Sequence, residues 1–269
     1  MLQVALYALL FAVGVATGAL NVVAGGGSFL TLPTLIFLGL PPTVANGTNR
    51  VGILTQNVVA VWGFHRHRVL AWRFALWASV PAVAGAVLGT WAALAVGDET
   101  FKKLLALFMV VISLWTLLDP GGRRLRRLAG AGEAGGGAAG GPATAAAAAP
   151  AGRARLGVLA AGFFVVGLYG GFVQAGVGFL VLAATTFAGL DLVRGNAVKV
   201  LAVLALTVVA LAIFAAQGQV DWAAGLVLGA GNALGGLWGV RLTVLKGNRW
   251  LRGVVTAAVL VFAALLWFD

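Results

Sequence analysis

Displaced by 150 residues, the chain lies over itself without a gap, and positions 26–89 set against 176–239 give 17 identities in 64. Composition supplies roughly half of that, because Ala, Gly, Leu and Val fill both halves. The other matches are of rarer residues: Phe29 over Phe179, Phe37 over Phe187, Asn46 over Asn196, Phe64 over Phe214 and Trp72 over Trp222. The chain is a duplication, so its fold has to be assembled from two copies of one unit and whatever joins them.

Each unit is too apolar for water. Hydrophobic residues make up 61% of the 269 positions and charged residues 9%, where a soluble domain carries about 25% charge. Apolar runs recur at 2–20, 51–64, 74–96, 104–118, 156–173, 198–216, 223–240 and 254–268. Several approach the length of about 20 residues that spans the hydrocarbon core as a helix. An all-α polytopic membrane protein is therefore expected. The first run lacks a basic leader and an Ala-x-Ala site and reads as a retained helix, not a signal peptide. The absence of cysteine removes disulfides, thiolate catalysis and Cys-based metal sites. The net charge of +11 reads as Lys and Arg gathered in cytoplasmic loops, and no nucleic-acid partner is expected.

Five apolar segments fall in each half, the second of them short. The short ones, 29–38 and 179–188, extend only about 15 Å as helix. Loop charge orients the halves. "HRHRVLAWR" carries Arg66, Arg68 and Arg73, while its counterpart "QGQVDW" has no positive charge. One connection later the bias reverses: "GDETFKK" is balanced, and the second half has Arg241, Lys246, Arg249 and Arg252. Equivalent loops are thus expected on opposite faces, which gives two inverted-topology repeats, each a re-entrant or short helical hairpin plus three transmembrane helices. The divisions are 1–118, an Ala/Gly/Arg-rich cytoplasmic connector at 119–155 that reads as a tether, and 156–269, with both termini outside.

Inverted repeats place a substrate site near the bilayer midplane, where interrupted helices point their ends inward. Gly25, Gly26 and Gly27 allow a sharp turn, Ser28 reads as the N-cap of the short helix, and a positive helix end there favours anions. Gly176 and Gly178 repeat the arrangement, so two hairpins are expected to meet at their glycine tips. Asn46, Asn49 and Gln56 share one helical face, and Asn196 and Lys199 are the second-half equivalents of Asn46 and Asn49. Lys199 is a basic residue within an apolar helix, a functional position by default, with snorkelling as the plain alternative. Arg50 and Arg194 read as coupling or gating groups or as surface anchors. Asp191 reads as a proton or cation partner or as a loop residue, and Gln56 and Asn57 as ligands or as bonds between helices. His65 and His67 make a poor metal site, and no metal or cofactor is expected. The GxxxG pairs Gly14/Gly18, Gly85/Gly89, Gly167/Gly171 and Gly235/Gly239 read as close helix packing.

"AGGGSFLTLPTLIFLGLPPTVANGTNR" together with "GLYGGFVQAGVGFLVLAATTFAGLDLVRGNAVK" resembles the TauE/SafE family of bacterial membrane permeases over nearly the whole chain outside the connector. The resemblance implies a bacterial inner-membrane transporter of small sulfur-containing anions, such as sulfite, thiosulfate-like species and organosulfonates, often moving them outward. It assigns motif positions to Gly26, Gly27, Pro33, Asn46, Gly47, Thr48 and Asn49, and to Gly170, Gly171, Gly176, Gly178, Asp191, Arg194, Asn196 and Lys199. Gln174 and Val177 depart from the pattern, and Gln174 joins the candidate substrate ligands. No Gly-x4-Gly-Lys loop is present, so a secondary transporter working by alternating access is expected. Its partners would be a small anion, the lipid bilayer and, as a candidate, a second copy of the chain. An importer using the same site, an intramembrane enzyme and a non-transporting scaffold are the rival readings.

Overall fold

The structure, a computed structural model, describes residues 2–23, 25–118 and 153–246. Over these it is all helix: α1 (Leu2–Val23), α2 (Ser28–Phe37), α3 (Pro42–Arg66), α4 (Trp72–Ala95) and α5 (Asp98–Leu118), then α6 (Arg153–Phe172), α7 (Val177–Phe187), α8 (Leu192–Ala216) and α9 (Trp222–Lys246). Most of the expected connector and the last apolar run of the second half lie outside the described residues. Among the described residues four helices are long and apolar enough to cross a membrane: Gln3–Val23, Trp72–Ala95, Leu192–Ala216 and Trp222–Leu245. The chain is a multi-pass membrane protein.

The repeat is legible in the turns. After α2 the chain reverses through Gly39 at φ 94°, and after α7 through Gly189 at φ 90°. Gly39 N donates to Ile36 O and Leu40 N to Leu35 O; Gly189 N donates to Thr186 O and Leu190 N to Thr185 O. Both are helix ends closed by a left-handed residue that satisfies the last carbonyls. The next pair of turns matches in the same way. Arg68 (φ 57°) ends α3, and Gly218 (φ 67°) ends α8 at the equivalent position. Equivalent helices can start by different chemistry. Prolines at 41 and 42 open α3, where a fixed φ and a missing N–H do no harm. Asp191, the counterpart of Pro41, caps α8 by accepting from Val193 N and Arg194 N.

α2 folds back along α1, so that Leu35 and Ile36 pack with Leu10 and Tyr7. α7 folds back along α6, where Val177 and Val181 join Phe163 and Val166. The first helix of each half then packs on the fourth helix of the other: α1 against α9 and α6 against α4. Glycines permit this. A Cβ at Gly85 would stand 2.7 Å from Leu168 N, and one at Gly167 2.7 Å from Ala82 Cα. Gly14 and Gly18 face the α9 backbone at 228–232, and Gly235 and Gly239 face α1 at 15–22. All four GxxxG pairs thus lie at close helix crossings, as the spacing suggested. Because each half supplies the packing partner of the other, the core sits at the seam between them, and so does the candidate site.

Candidate functional site

The two hairpin tips touch at the seam. Gly25 takes φ 90°, and a Cβ there would lie 2.6 Å from Gly178 Cα. Any side chain at either position would force the tips apart. Just beyond, the rings of Phe29 and Phe179 stack with centroids 6.4 Å apart. α2 and α7 therefore begin beside one another, each with a positive end directed into the centre of the bundle. One expectation is corrected here. Ser28 is already inside α2, Gly27 holds the cap position, and no side chain caps either helix start.

The C-termini of α1 and α6 end in the same region, and each is met by a cation and an amide from the other half. Lys199 Nζ donates to Asn21 O (3.0 Å), Val22 O (2.7 Å) and Asn196 Oδ1 (2.7 Å), and Asn196 Nδ2 donates to Val23 O. In mirror fashion Arg50 Nη1 donates to Gly170 O (3.2 Å), Arg50 Nη2 to Gly171 O (2.5 Å), and Asn46 Nδ2 to Phe172 O (2.7 Å). The last carbonyls of a helix have no partner within it and form its negative end, so a buried cation has a physical reason to lie there. The two cations stand one residue out of register, since Lys199 is the equivalent of Asn49 and Arg50 that of Val200. Arg50 is therefore no surface anchor. It is 0% exposed, and its guanidinium lies 4.8 Å from the centre of the Phe214 ring. Lys199, 2% exposed, does not snorkel.

Gln174 closes the arrangement. At φ 66° it is one of two non-glycine residues with positive φ among those described, a conformation kept only where the surroundings hold it. Its Oε1 accepts from Arg50 (2.6 Å) and its Nε2 donates to the Thr207 hydroxyl (2.6 Å). On the other side Thr31 donates to Asn49 Oδ1 (2.6 Å), and Asn21 Nδ2 reaches Gln56 Oε1 (3.2 Å). Thr48 lies at one edge, its hydroxyl accepting from Asp221 N. Among the described residues four buried side-chain polar atoms have no protein partner: Asn46 Oδ1, Asn49 Nδ2, Arg50 Nε and Asn57 Nδ2. All lie on α3.

The structure thus gathers Gly25, Gly26, Gly27, Asn46, Asn49, Arg50, Gln56, Gln174, Gly176, Gly178, Asn196 and Lys199 around the tips. It leaves out Asp191 and Arg194. These pair with each other at 3.6 Å on the exposed start of α8. Thr31, Asn21, Thr207 and the Thr17–Asn232 bond (2.9 Å) escaped the sequence reading, although an amide in an apolar helix, as at positions 21 and 232, was a usable signal. An apolar groove of about 380 Å³ beside Trp91 and Ile213 contains none of the predicted residues.

Broken helices and unpaired polar atoms buried at the centre of a multi-pass bundle are features that membrane transporters share. The chain belongs to the TauE/SafE family, whose family model, described as "Sulfite exporter TauE/SafE", matches residues 10–266. It is similar to a probable membrane transporter protein of Haemophilus influenzae, 27% identical over 98% of this chain and 95% of that one. It is also similar to the probable membrane transporter protein YfcA of Escherichia coli K12, 27% identical over 98% and 90%, and to the probable membrane transporter protein ORF9 of a Sinorhizobium species, 25% identical over 98% and 93%. No solved structure matches the chain at a significant level.

Proposed function

We propose that this protein is a secondary transporter that exports small sulfur-containing anions, with sulfite, thiosulfate and organosulfonates as candidate substrates, by alternating access between two inverted repeats. The observation that carries the proposal is the meeting of the two glycine tips. Two positive helix ends converge there, the two negative ends are each offset by a buried cation, and the balance favours an anion. The description of the family as sulfite exporters supports the substrate class and direction. Reciprocal packing of α1 on α9 and α6 on α4, with opposite charge in equivalent loops, supports the inversion. The chain would sit in the bacterial inner membrane with the connector in the cytoplasm, driven by an ion gradient or by the substrate's own.

Flux in proteoliposomes tests this. Saturable sulfite or thiosulfate flux is expected without nucleotide, together with raised sulfite tolerance in cells that carry the gene. Absence of flux for every sulfur oxyanion contradicts the substrate class. Flux joined to better growth on a limiting sulfur source, with no gain in tolerance, reverses the direction.

A further inference from the structure

The two cations are not equivalent in what they have left to offer. An ammonium has three donors and a guanidinium five. Lys199 uses all three, on Asn21 O, Val22 O and Asn196 Oδ1. Arg50 uses two on Nη1, for Gly170 O and Gln174 Oε1, and one on Nη2, for Gly171 O. Its Nε has no partner, so the Nε hydrogen and one on Nη2 remain. Beside it in sequence, Asn49 has its oxygen filled by the Thr31 hydroxyl, which leaves Nδ2 as a second unmet donor. Both residues are 0% exposed, and an unmet buried donor is costly unless something fills it. The ion pairs among the described residues are the surface pairs Lys103–Glu99 and Arg194–Asp191, so no carboxylate answers the Arg50 charge.

From this donor count we infer that the anion is held by α3, between the free edge of Arg50 and Asn49 Nδ2, while Lys199 with Asn196 is a positioning clasp that ties α1 to α8 and never touches the substrate. The inference rests on the transport reading above and narrows its ligand. A guanidinium edge takes two oxygens of one centre, so the site selects a deprotonated oxyanion such as sulfite or a sulfonate group over chloride. Asn49 and Arg50 offer it only donors, and Asn46 Oδ1, the unmet acceptor of α3, lies a turn away from them.

The test is a thermal-shift titration of the purified full chain with sodium sulfite, thiosulfate, acetate and chloride. Sulfite is expected to raise the wild-type Tm, and chloride to leave it unmoved. Arg50→Lys keeps a charge for the carbonyls but lacks the fork, and its apparent sulfite affinity should fall by at least about tenfold. Asn49→Leu should lose affinity to a similar degree while its ligand-free Tm stays close to that of wild type, because removing the unmet donor offsets the loss of the Thr31 bond. Lys199→Met should lower the ligand-free Tm, and Lys199→Arg should restore it, with the sulfite affinity of Lys199→Met staying within about threefold of wild type. The reverse pattern, with affinity lost at Lys199 and kept in Asn49→Leu, overturns the inference, and Asn49→Leu decides alone if Arg50→Lys does not fold. A wild type that responds to acetate but not to sulfur oxyanions refutes the substrate reading, and the variants are then judged with acetate. A wild type that responds to no oxyanion refutes both.

Discussion

Gln174 shows how much one residue at a hairpin tip can hold. Its backbone sits in the left-handed region, and its side chain links the guanidinium of Arg50 to Thr207 across the seam. Gln174→Leu keeps the volume and removes both bonds. A buried charge that loses one of its acceptors costs about 2 kcal/mol, so a drop in the detergent-solubilised Tm is expected, and an unchanged melt would show that the bond to Arg50 is dispensable. In the sequence, the importance of Asn46 and Asn196 was legible because they coincide under the 150-residue shift. The sequence leaves Arg50 open between a coupling or gating group and a surface anchor. Its counterpart is Val200, and a helical position near the start of an apolar run looks the same whether it faces lipid or the end of a helix some 120 residues away. The one-residue offset between Arg50 and Lys199 hid the equivalence, since two side chains of different reach arrive at the same kind of target from adjacent positions.

Among the elements, the glycine-lined crossings carry the packing and make opposite predictions for superficially similar substitutions. Gly85 and Gly162 both lie within helices. A Cβ at Gly85 would press on the backbone of α6 at 2.7 Å from Leu168 N, whereas one at Gly162 meets nothing within 4 Å. Gly85→Ala should therefore destabilise by about 1–3 kcal/mol, as overpacking does. Gly162→Ala should stabilise by about 0.5–1 kcal/mol through helix propensity alone. Melting curves of the two variants decide, and equal shifts of one sign would contradict the packing. The GxxxG spacing pointed to close crossings, but it did not say which helix lies across which. That partner choice is a long-range property, set by the exchange of first and fourth helices between the halves. The interruption of α2 and α7 was visible as short apolar runs between glycine clusters. The apolar run 51–64 understates α3, which starts at Pro42, whereas the spacing of Asn46 and Asn49 with Gln56 already puts those polar residues on its face.

In the whole molecule, duplication explains why the site lies where it does. Neither half could close a core alone, since α1 and α6 find their main partners in the opposite copy, and the tips of both hairpins become the common floor of one cluster. The two halves are unequal in their free donors. The unmet donors lie on α3, while the equivalent stretch of α8 is fully occupied by the Asn196–Lys199 clasp. All of this depends on the copies crossing the bilayer in opposite directions, and the chain is suited to a direct check because it contains no cysteine. His67 and Gln217 occupy equivalent exposed positions in the turns after α3 and α8. With single cysteines introduced there, an impermeant thiol reagent applied to intact cells should label Gln217→Cys and reach His67→Cys only after the membrane is breached; labelling of both from the same face would contradict the inverted architecture and the shared anion pocket built on it.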